Sequence, residues 1–209
     1  MTLSTTGESQ RVSELYLATP VLEQAEPFLS DLQKRLAACQ PAALLLRLPP
    51  VAQMSDHAAA PLVAAVAACV QPMGIALMVQ NRAALAVAQA CDGVHLCGDA
   101  ALDTASVRRM VGEAMQLGVD VGLSRDHAMR AGEEGADYIC FTPGDESAQA
   151  TPESVAGALE LTRWWAVMME LPVVAQAMTA AEVAPLAAAG ADFIMPGQGW
   201  WDSPQGWNL

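Results

Sequence analysis

Residues 172–195 read PVVAQAMTAAEVAPLAAAGADFIM and contain one complete strand–helix–strand unit. The apolar run at 173–175 predicts a buried strand, and Thr179 is well placed to cap the helix that follows. Gly190 can end that helix in a left-handed conformation, after which the apolar run at 191–195 predicts the next strand. Strands that are apolar on both faces are typical of parallel sheets covered by helices.

The same alternation of apolar runs and Ala-rich helical segments extends through the rest of the chain. We predict eight strands, at 14–18, 42–48, 74–79, 93–96, 119–123, 136–141, 173–175 and 191–195. Eight strand–helix units predict an α/β fold, a closed (β/α)8 TIM barrel whose final helix is truncated or missing. The alternative is an open, doubly wound sheet, but that fold normally has a Gly-rich turn after its first strand, where this chain has Thr19 and Pro20.

We expect three parts along the chain: an N-terminal extension at 1–13, a single barrel at 14–199 and a Trp-rich tail at 200–209. Without a full eighth helix, an apolar groove beside the first and seventh helices would stay open. We expect the tail either to cover this groove or to form a subunit contact, in which case the chain would be a homo-oligomer.

Charge and residue scarcity argue against several classes of function. The 209 residues include 10 Lys and Arg against 23 Asp and Glu, and the net charge of −13 argues against binding nucleic acid or an anionic membrane. Lys34 is the only lysine and lies in a charged helical stretch, so we expect no Schiff-base mechanism. Five scattered cysteines without a C-x-x-C pair, and a start without a signal-peptide pattern, predict reduced thiols in a cytoplasmic protein.

A short phrase repeats where predicted strands begin. Gly-Ala-Asp occurs at 135–137 and at 190–192, and Cys-Asp-Gly at 91–93 is a weaker copy. The amino-terminal ends of the strands form the bottom of a barrel, so we expect the aspartate of each copy to support stability. His95 lies within the fourth predicted strand, where we expect a packed side chain rather than a catalyst.

Ligands of such barrels bind just past the carboxyl ends of the strands. Arg47 lies inside the apolar run ALLLRL, where arginine is costly to bury unpaired, so it binds either an anion or a carboxylate at the rim. Gly197 and Gly199 follow the last strand, where they either open backbone N–H groups to a phosphate or form an ordinary loop. Other polar residues near predicted strand ends are Gln80, Asn81, Arg82, Ser124, Arg125, Thr142 and Gln176.

Five segments resemble, in their order, the thiamine phosphate synthase superfamily with its thiazole tautomerase relatives: LYLAT, GIALMVQNRAALA, DGVHLCGD, GADYICFTPG and PVVAQAMTAAEVAPLAAAGADFIM. The resemblance covers residues 14–199 and implies the same barrel. It also implies a transferase of thiamine biosynthesis, which joins a pyrimidine diphosphate to a thiazole phosphate and releases pyrophosphate. Mg²⁺ neutralises the leaving charge in that family, and arginine and lysine hold the pyrophosphate.

The resemblance carries over to this chain only in part. The Gln-x-Arg-x-Lys pattern of the family falls on Leu45, Arg47 and Pro49, so the arginine alone is kept. The Asn-Asp pair of the family, whose Asp binds Mg²⁺, falls on Gln80 and Asn81, and a neutral amide is a poorer ligand for that cation.

Three further positions follow from the same resemblance. A second metal aspartate of the family falls on Asp99 if one residue is deleted, and on Ala100 without a gap. Ser124 matches a serine of the fifth strand, and Gln176 replaces a glycine after the seventh. The resemblance thus implies Arg47 and Ser124 as catalytic residues and Asp99 as a metal ligand. The implied ligand-binding residues are Gln80, Asn81, Thr142, Gln176, Gly197 and Gly199.

Two functions follow from these matches and departures. The first is a synthase-like barrel with a degenerate site for pyrophosphate and Mg²⁺. The alternative is a divergent or non-catalytic barrel, related to the tautomerase branch, that binds a small molecule. Both predict a phosphorylated or heteroaromatic small ligand. A structural or interaction protein is a third class, which rests on the Trp-rich tail alone.

Overall fold

The structure, a computed structural model, describes residues 12–144 and 150–207. Within these ranges eight strands alternate with α-helices. The strands are β1 (Glu14–Val21), β2 (Ala43–Arg47), β3 (Ala76–Gln80), β4 (Gly93–Leu96), β5 (Gln116–Asp120), β6 (Tyr138–Phe141), β7 (Val173–Ala177) and β8 (Phe193–Pro196). The helices are α1 (Phe28–Leu36), α2 (Asp56–Val70), α3 (Ala83–Ala88), α4 (Thr104–Val111), α5 (Arg125–Glu133), α6 (Pro152–Met168), α7 (Val183–Ala188) and α8 (Gly199–Asp202).

All eight strands are parallel and close into a barrel in chain order, because β1 pairs with β2 on one side and with β8 on the other. The predicted (β/α)8 barrel is therefore confirmed, and the open sheet is excluded. Helix α8 is a single turn of four residues, as the prediction of a truncated last helix requires. Among the helices described, none has both the length and the apolar character needed to cross a membrane.

Successive side chains of each strand face opposite sides of the barrel wall. Outward-facing residues such as Leu17, Leu44 and Leu77 pack beneath the helices in the main core. Inward-facing residues such as Leu45 and Val174 form a separate cluster inside the barrel. Both faces of the strands are buried, which is why they appear as nearly continuous apolar runs.

Three polar side chains are buried inside the barrel and bind one another. The Tyr16 and Tyr138 hydroxyls are hydrogen-bonded at 2.7 Å, and the Tyr138 hydroxyl lies 3.0 Å from Nδ1 of His95. Burial lowers the pKa of His95 to about 4, so the ring is neutral near pH 7. Gly118 leaves room for the Tyr138 ring, since a Cβ there would lie 1.9 Å from Cζ of the tyrosine. His95 is a packed residue, as expected.

The repeated aspartates connect neighbouring strands at the bottom of the barrel. Each carboxylate accepts a backbone N–H from the preceding strand: Asp92 from Leu77 at 2.8 Å, Asp137 from Leu117 at 2.7 Å and Asp192 from Val173 at 2.9 Å. Arg108 is buried and forms an ion pair with Asp137. It also donates to three backbone carbonyls, including Gly135 O at 2.8 Å and Met115 O at 2.9 Å. These contacts lie in the scaffold at the bottom of the barrel, where the sequence places the aspartates, and their stabilising role stays a prediction.

Strand β5 lies three residues earlier than predicted, at 116–120 instead of 119–123. The cause is a turn that the apolar pattern conceals. Gly122 has a φ of 55°, and its N–H donates to the Asp120 carboxylate at 2.9 Å, so the chain leaves the barrel at this point. The shift matters for the site, because it makes Asp120 the last residue of the strand.

The Trp-rich tail packs on the barrel wall next to α1. Trp200 and Trp207 are buried in the main core. The Trp201 ring lies 5.2 Å from the Phe28 ring, and its Nε1–H donates to Ala18 O at 2.8 Å. The described part of the tail thus covers apolar surface beside α1, whereas the subunit contact and the division into three parts stay predictions.

Candidate functional site

Eight residues surround the carboxyl-terminal opening of the barrel, which we call the mouth. Each lies two positions beyond an inward-facing residue, as Arg47 follows Leu45 and Gln176 follows Val174. The odd strands contribute Ala18, Gln80, Asp120 and Gln176, and the even strands contribute Arg47, Cys97, Thr142 and Gly197. Layers of four side chains from alternate strands are the usual arrangement inside such barrels. We refer to these eight as the mouth residues.

Arg47 is the one cation among the mouth residues. It is half-buried at the end of β2, and its backbone N–H donates to the buried hydroxyl of Thr19 at 3.1 Å. The other described Lys and Arg residues are on or next to helices: Lys34, Arg35, Arg82, Arg108, Arg109, Arg125, Arg130 and Arg163. The sequence 145–149, outside the described residues, contains neither Lys nor Arg.

Two arginines near predicted strand ends serve the scaffold instead of the mouth. Arg82 is buried and holds the loop between β2 and α2, donating to Asp56 at 2.6 Å, to Met54 O at 2.8 Å and to Pro49 O. Arg125 lies on the outer surface, where it contacts Glu160 at 3.1 Å and lies over the Trp164 ring. Neither arginine adds charge to the mouth.

Asp120 brings a carboxylate to the mouth that the sequence analysis missed, because the predicted strand placed it mid-strand. Its Oδ1 accepts the hydroxyl of Thr142 at 2.8 Å as well as the Gly122 N–H. The spacing Asp-x-Gly was the available signal, since Asp commonly binds the N–H two residues on. Cys140 lies one layer deeper, and burial, with Asp120 nearby, raises the pKa of its thiol, so that it is neutral.

Gln176 and Gln80 face the mouth from opposite sides, on β7 and β3. Across the described residues, Gln176 Oε1 is the one buried side-chain nitrogen or oxygen atom without a hydrogen-bond partner. An unpartnered buried polar atom carries a free-energy penalty of about 1–3 kcal/mol.

Asn81 and Cys97 bind each other across the ends of β3 and β4. The Asn81 side-chain oxygen accepts the Cys97 N–H at 2.9 Å, and its amide nitrogen donates to Cys97 O at 3.2 Å. Asn81 has a φ of 54°, a left-handed conformation that asparagine tolerates well. The contacts give Asn81 a structural role, while its predicted role in ligand binding stays a prediction.

The residues that the structure describes do not form a fitting Mg²⁺ site. The oxygen of Asn81 already accepts the Cys97 N–H, and no group of three or more His, Cys, Asp or Glu residues lies close enough to hold a metal within the described part of the chain. The side chain of Asp99 lies outside what the structure describes, so its role as a metal ligand stays a prediction.

Two further predicted site residues make contacts within the scaffold. Ser124 lies four residues past the end of β5, not at a strand end, and its hydroxyl caps α5 by accepting the His127 N–H at 3.2 Å. Gly197 is buried, and its N–H donates to Ala177 O at 2.7 Å, while its predicted role in binding a phosphate stays a prediction. Gly199 begins α8. The catalytic role of Ser124 and the phosphate role of Gly199 stay predictions.

These features define a (β/α)8 barrel protein with a polar mouth at the carboxyl ends of its strands. The family model for thiamine monophosphate synthase matches residues 15–196. The chain is 37% identical over 193 residues to the thiamine-phosphate synthase of Rhodospirillum centenum, covering 92% of this chain and 91% of that protein. It is 35% identical over 208 residues to that of Hyphomonas neptunium, covering 98% and 93%. The chain belongs to the thiamine monophosphate synthase family, which confirms the resemblance found in the sequence.

A solved structure has the same fold. The thiamine phosphate pyrophosphorylase of Pyrococcus furiosus superimposes with a TM-score of 0.72 over 93% of each chain, at 17% sequence identity. Family and fold together support a synthase-like function in thiamine biosynthesis.

Proposed function

We propose that the mouth binds phosphorylated heteroaromatic ligands through Arg47 and performs the synthase reaction of its family slowly, on a reduced set of charges. The observation that carries this proposal is that Arg47 is the one cation among the mouth residues. The relatives named thiamine-phosphate synthases, at 37% and 35% identity over most of the chain, support the class of reaction.

Arg47 would hold a phosphate group of the ligand. Its planar guanidinium can donate two parallel N–H bonds to phosphate oxygens, which lysine cannot do. The buried hydroxyl of Thr19 accepts the Arg47 N–H and so supports the backbone from which the side chain extends. Gln80, Thr142 and Gln176 would supply uncharged polar contacts.

The charge balance of the mouth favours slow turnover. As the bond to the thiazole phosphate forms, the bond to pyrophosphate breaks, and negative charge builds up on the leaving group. The family pattern has a lysine and an aspartate where this chain has Pro49 and Asn81. Losing one desolvated charge partner costs about 2–5 kcal/mol. Asp120 adds a negative charge to the mouth, which further opposes the accumulation of negative charge.

The test measures binding and turnover separately. Binding of thiazole phosphate is followed by calorimetry, and turnover by pyrophosphate release from pyrimidine diphosphate plus thiazole phosphate, with and without Mg²⁺. We expect Arg47→Ala to weaken binding about 30-fold or more. Arg125→Ala, which removes the same charge from the outer surface, should change nothing. Equal affinities of the wild type and Arg47→Ala would contradict the proposal.

The second candidate is a ligand-binding barrel without catalysis. The contact between Asn81 and Cys97 favours it, because the neutral amide at the position of the family's metal aspartate already accepts a backbone N–H. Binding of thiazole phosphate without any pyrophosphate release, at every Mg²⁺ concentration, would select this candidate over the first.

A further inference from the structure

The junction between β1 and β8 closes the barrel, and its backbone ladder is short. The register of β1 with β8 covers only Glu14 and Leu15, whereas its register with β2 reaches Val21. Continued at the same register, the ladder would next need an N–H from position 196 of β8 to bind the carbonyl of Tyr16. That residue is Pro196, and proline has no N–H, so the ladder stops below the mouth.

The Trp-rich tail supplies a hydrogen bond across this junction above the point where the ladder stops. Alternate residues of a strand direct their backbone groups to the same neighbour, so the carbonyl of Ala18, like that of Tyr16, is directed towards β8. The indole Nε1–H of Trp201, on the short helix that follows β8, donates to Ala18 O at 2.8 Å. The indole therefore joins the end of β1 to the chain beyond β8 at the level of the mouth.

Trp201 is itself fixed by three side chains. Its ring centroid lies 5.2 Å from that of Phe28 on α1 and 4.9 Å from that of Trp200, which is buried. The guanidinium carbon of Arg35 lies 5.5 Å from the centroid of the Trp201 ring. Aromatic and cation–π contacts of this kind restrict the ring, so the N–H donor has a defined position beside β1.

The end of β1 in turn supports the backbone of Arg47. Thr19, directly after Ala18, is buried, and its hydroxyl oxygen accepts the Arg47 N–H at 3.1 Å. The Leu22 N–H donates to Arg47 O at 2.9 Å. Both backbone groups of Arg47 thus bind the segment that follows Ala18, and the register of β1 against β2 shifts within that segment, between Ala18 and Val21. The position of the Arg47 side chain therefore depends on where the end of β1 is held.

We propose that Trp201 is a positioning residue for the mouth: its indole holds the end of β1 across the junction with β8, and through Ala18 and Thr19 it fixes the backbone from which Arg47 extends. The inference rests on the proposed function for the use of Arg47, and it goes further by giving the tail a part in ligand binding. Trp201 lies beyond residues 15–196, which the family model matches, so the family match does not supply this role.

The first measurement is amide hydrogen exchange, followed by NMR on the free protein. Trp201→Phe keeps an aromatic ring beside Phe28 and removes the N–H donor. Relative to the amide of Leu117, which binds an aspartate at the bottom of the barrel, we expect the amides of Arg47 and Leu22 to exchange about tenfold faster than in the wild type. The reason is that the end of β1 opens more easily once its bond to the indole is lost.

Trp164→Phe is the matched control. Trp164 is a half-buried tryptophan on α6 whose ring contacts Trp165 and Arg125, so the change also removes an indole N–H but not one that binds β1. The exchange of the Arg47 amide should stay as in the wild type. Unchanged exchange in Trp201→Phe, or an equal acceleration at Leu117, which would mean a general loss of stability, would overturn the inference.

The second measurement is calorimetric titration with inorganic phosphate, which tests whether the position of Arg47 matters for binding. Because a less fixed arginine must be ordered when the anion binds, we expect the dissociation constant to rise about fivefold in Trp201→Phe. It should stay unchanged in Trp164→Phe.

The failure of the proposed function looks different from the failure of this inference. If Arg47→Ala weakens phosphate binding while Trp201→Phe does not, the proposed function stands and the inference falls. If Trp201→Phe accelerates exchange at Arg47 and Leu22 but Arg47→Ala binds phosphate as well as the wild type does, the indole does hold this backbone and the anion site falls.

Discussion

At the bottom of the barrel Arg108 donates to three carbonyls and pairs with Asp137, whereas at the mouth Arg47 is the only cation in a ring of eight residues. The bottom contacts are built from repeated aspartates that join one strand to the next. The charges at the bottom contact the scaffold, whereas the charge at the mouth is the one that the proposed function uses. This difference teaches that the stability of the fold and the chemistry of the site can be tested by separate substitutions.

The largest expected effect on stability comes from a substitution at the bottom of the barrel. Arg108→Ala removes the cation paired with Asp137 and the donor to three carbonyls, while the Leu117 N–H still donates to Asp137. Breaking a buried ion pair costs about 3–5 kcal/mol, and the lower end, about 3 kcal/mol, applies here because the Asp137 side chain is 36% exposed. We expect a loss of this size in the free energy of unfolding, measured with urea. Arg109→Ala is the control, because Arg109 is the exposed neighbour on the same helix and should lose less than about 0.5 kcal/mol. Similar losses in the free energy of unfolding for both variants would contradict the structural role of Arg108 at the bottom of the barrel.

The second largest effect on stability concerns His95, which lies inside the barrel between its bottom and its mouth. The pKa of His95 is about 4 in the fold and about 6.5 when unfolded, so below pH 6.5 the unfolded chain takes up a proton that the fold does not. The free energy of unfolding should fall by about 3 kcal/mol between pH 6.5 and 4, and this contribution should be fully present above pH 6.5.

His95→Phe isolates this effect from the carboxylates that titrate over the same range. The Tyr138 hydroxyl keeps Tyr16 as a partner in the variant. Urea denaturation across this pH range should show a shallower decline for the variant than for the wild type. Parallel curves would mean that the imidazole is protonated, or is reached by water, in the fold.

The fold could be predicted from the sequence because parallel strands buried on both faces leave an unmistakable apolar pattern, and β4 lies where predicted, at 93–96. Strand β5 was misplaced because the pattern of apolar residues does not reveal a turn formed by Asp120 and Gly122. Arg47 could be identified as a candidate site residue because burying an unpaired arginine within an apolar run costs free energy. Arg82 could not be assigned, since its partners lie on another loop that spacing along the chain does not locate.

The smallest effect separates a helix cap from a catalytic residue. Ser124→Ala removes the side-chain acceptor for the His127 N–H and should cost about 1 kcal/mol in the free energy of unfolding. Ser124→Asp keeps an acceptor at the cap and should restore the loss. Turnover of the stable Ser124→Asp variant then tests the predicted catalytic role by itself. If Ser124→Ala unfolds at the same urea concentration as the wild type, the cap contributes nothing.

The charge of the mouth is tested most directly by calorimetric titration of the free protein with inorganic phosphate and with pyrophosphate, each with and without Mg²⁺. With one cation at the mouth, we predict that pyrophosphate binds no more than a few-fold more tightly than phosphate, that Mg²⁺ changes neither affinity, and that Arg47→Ala weakens both. Tight pyrophosphate binding that requires Mg²⁺ and survives in Arg47→Ala would contradict the account.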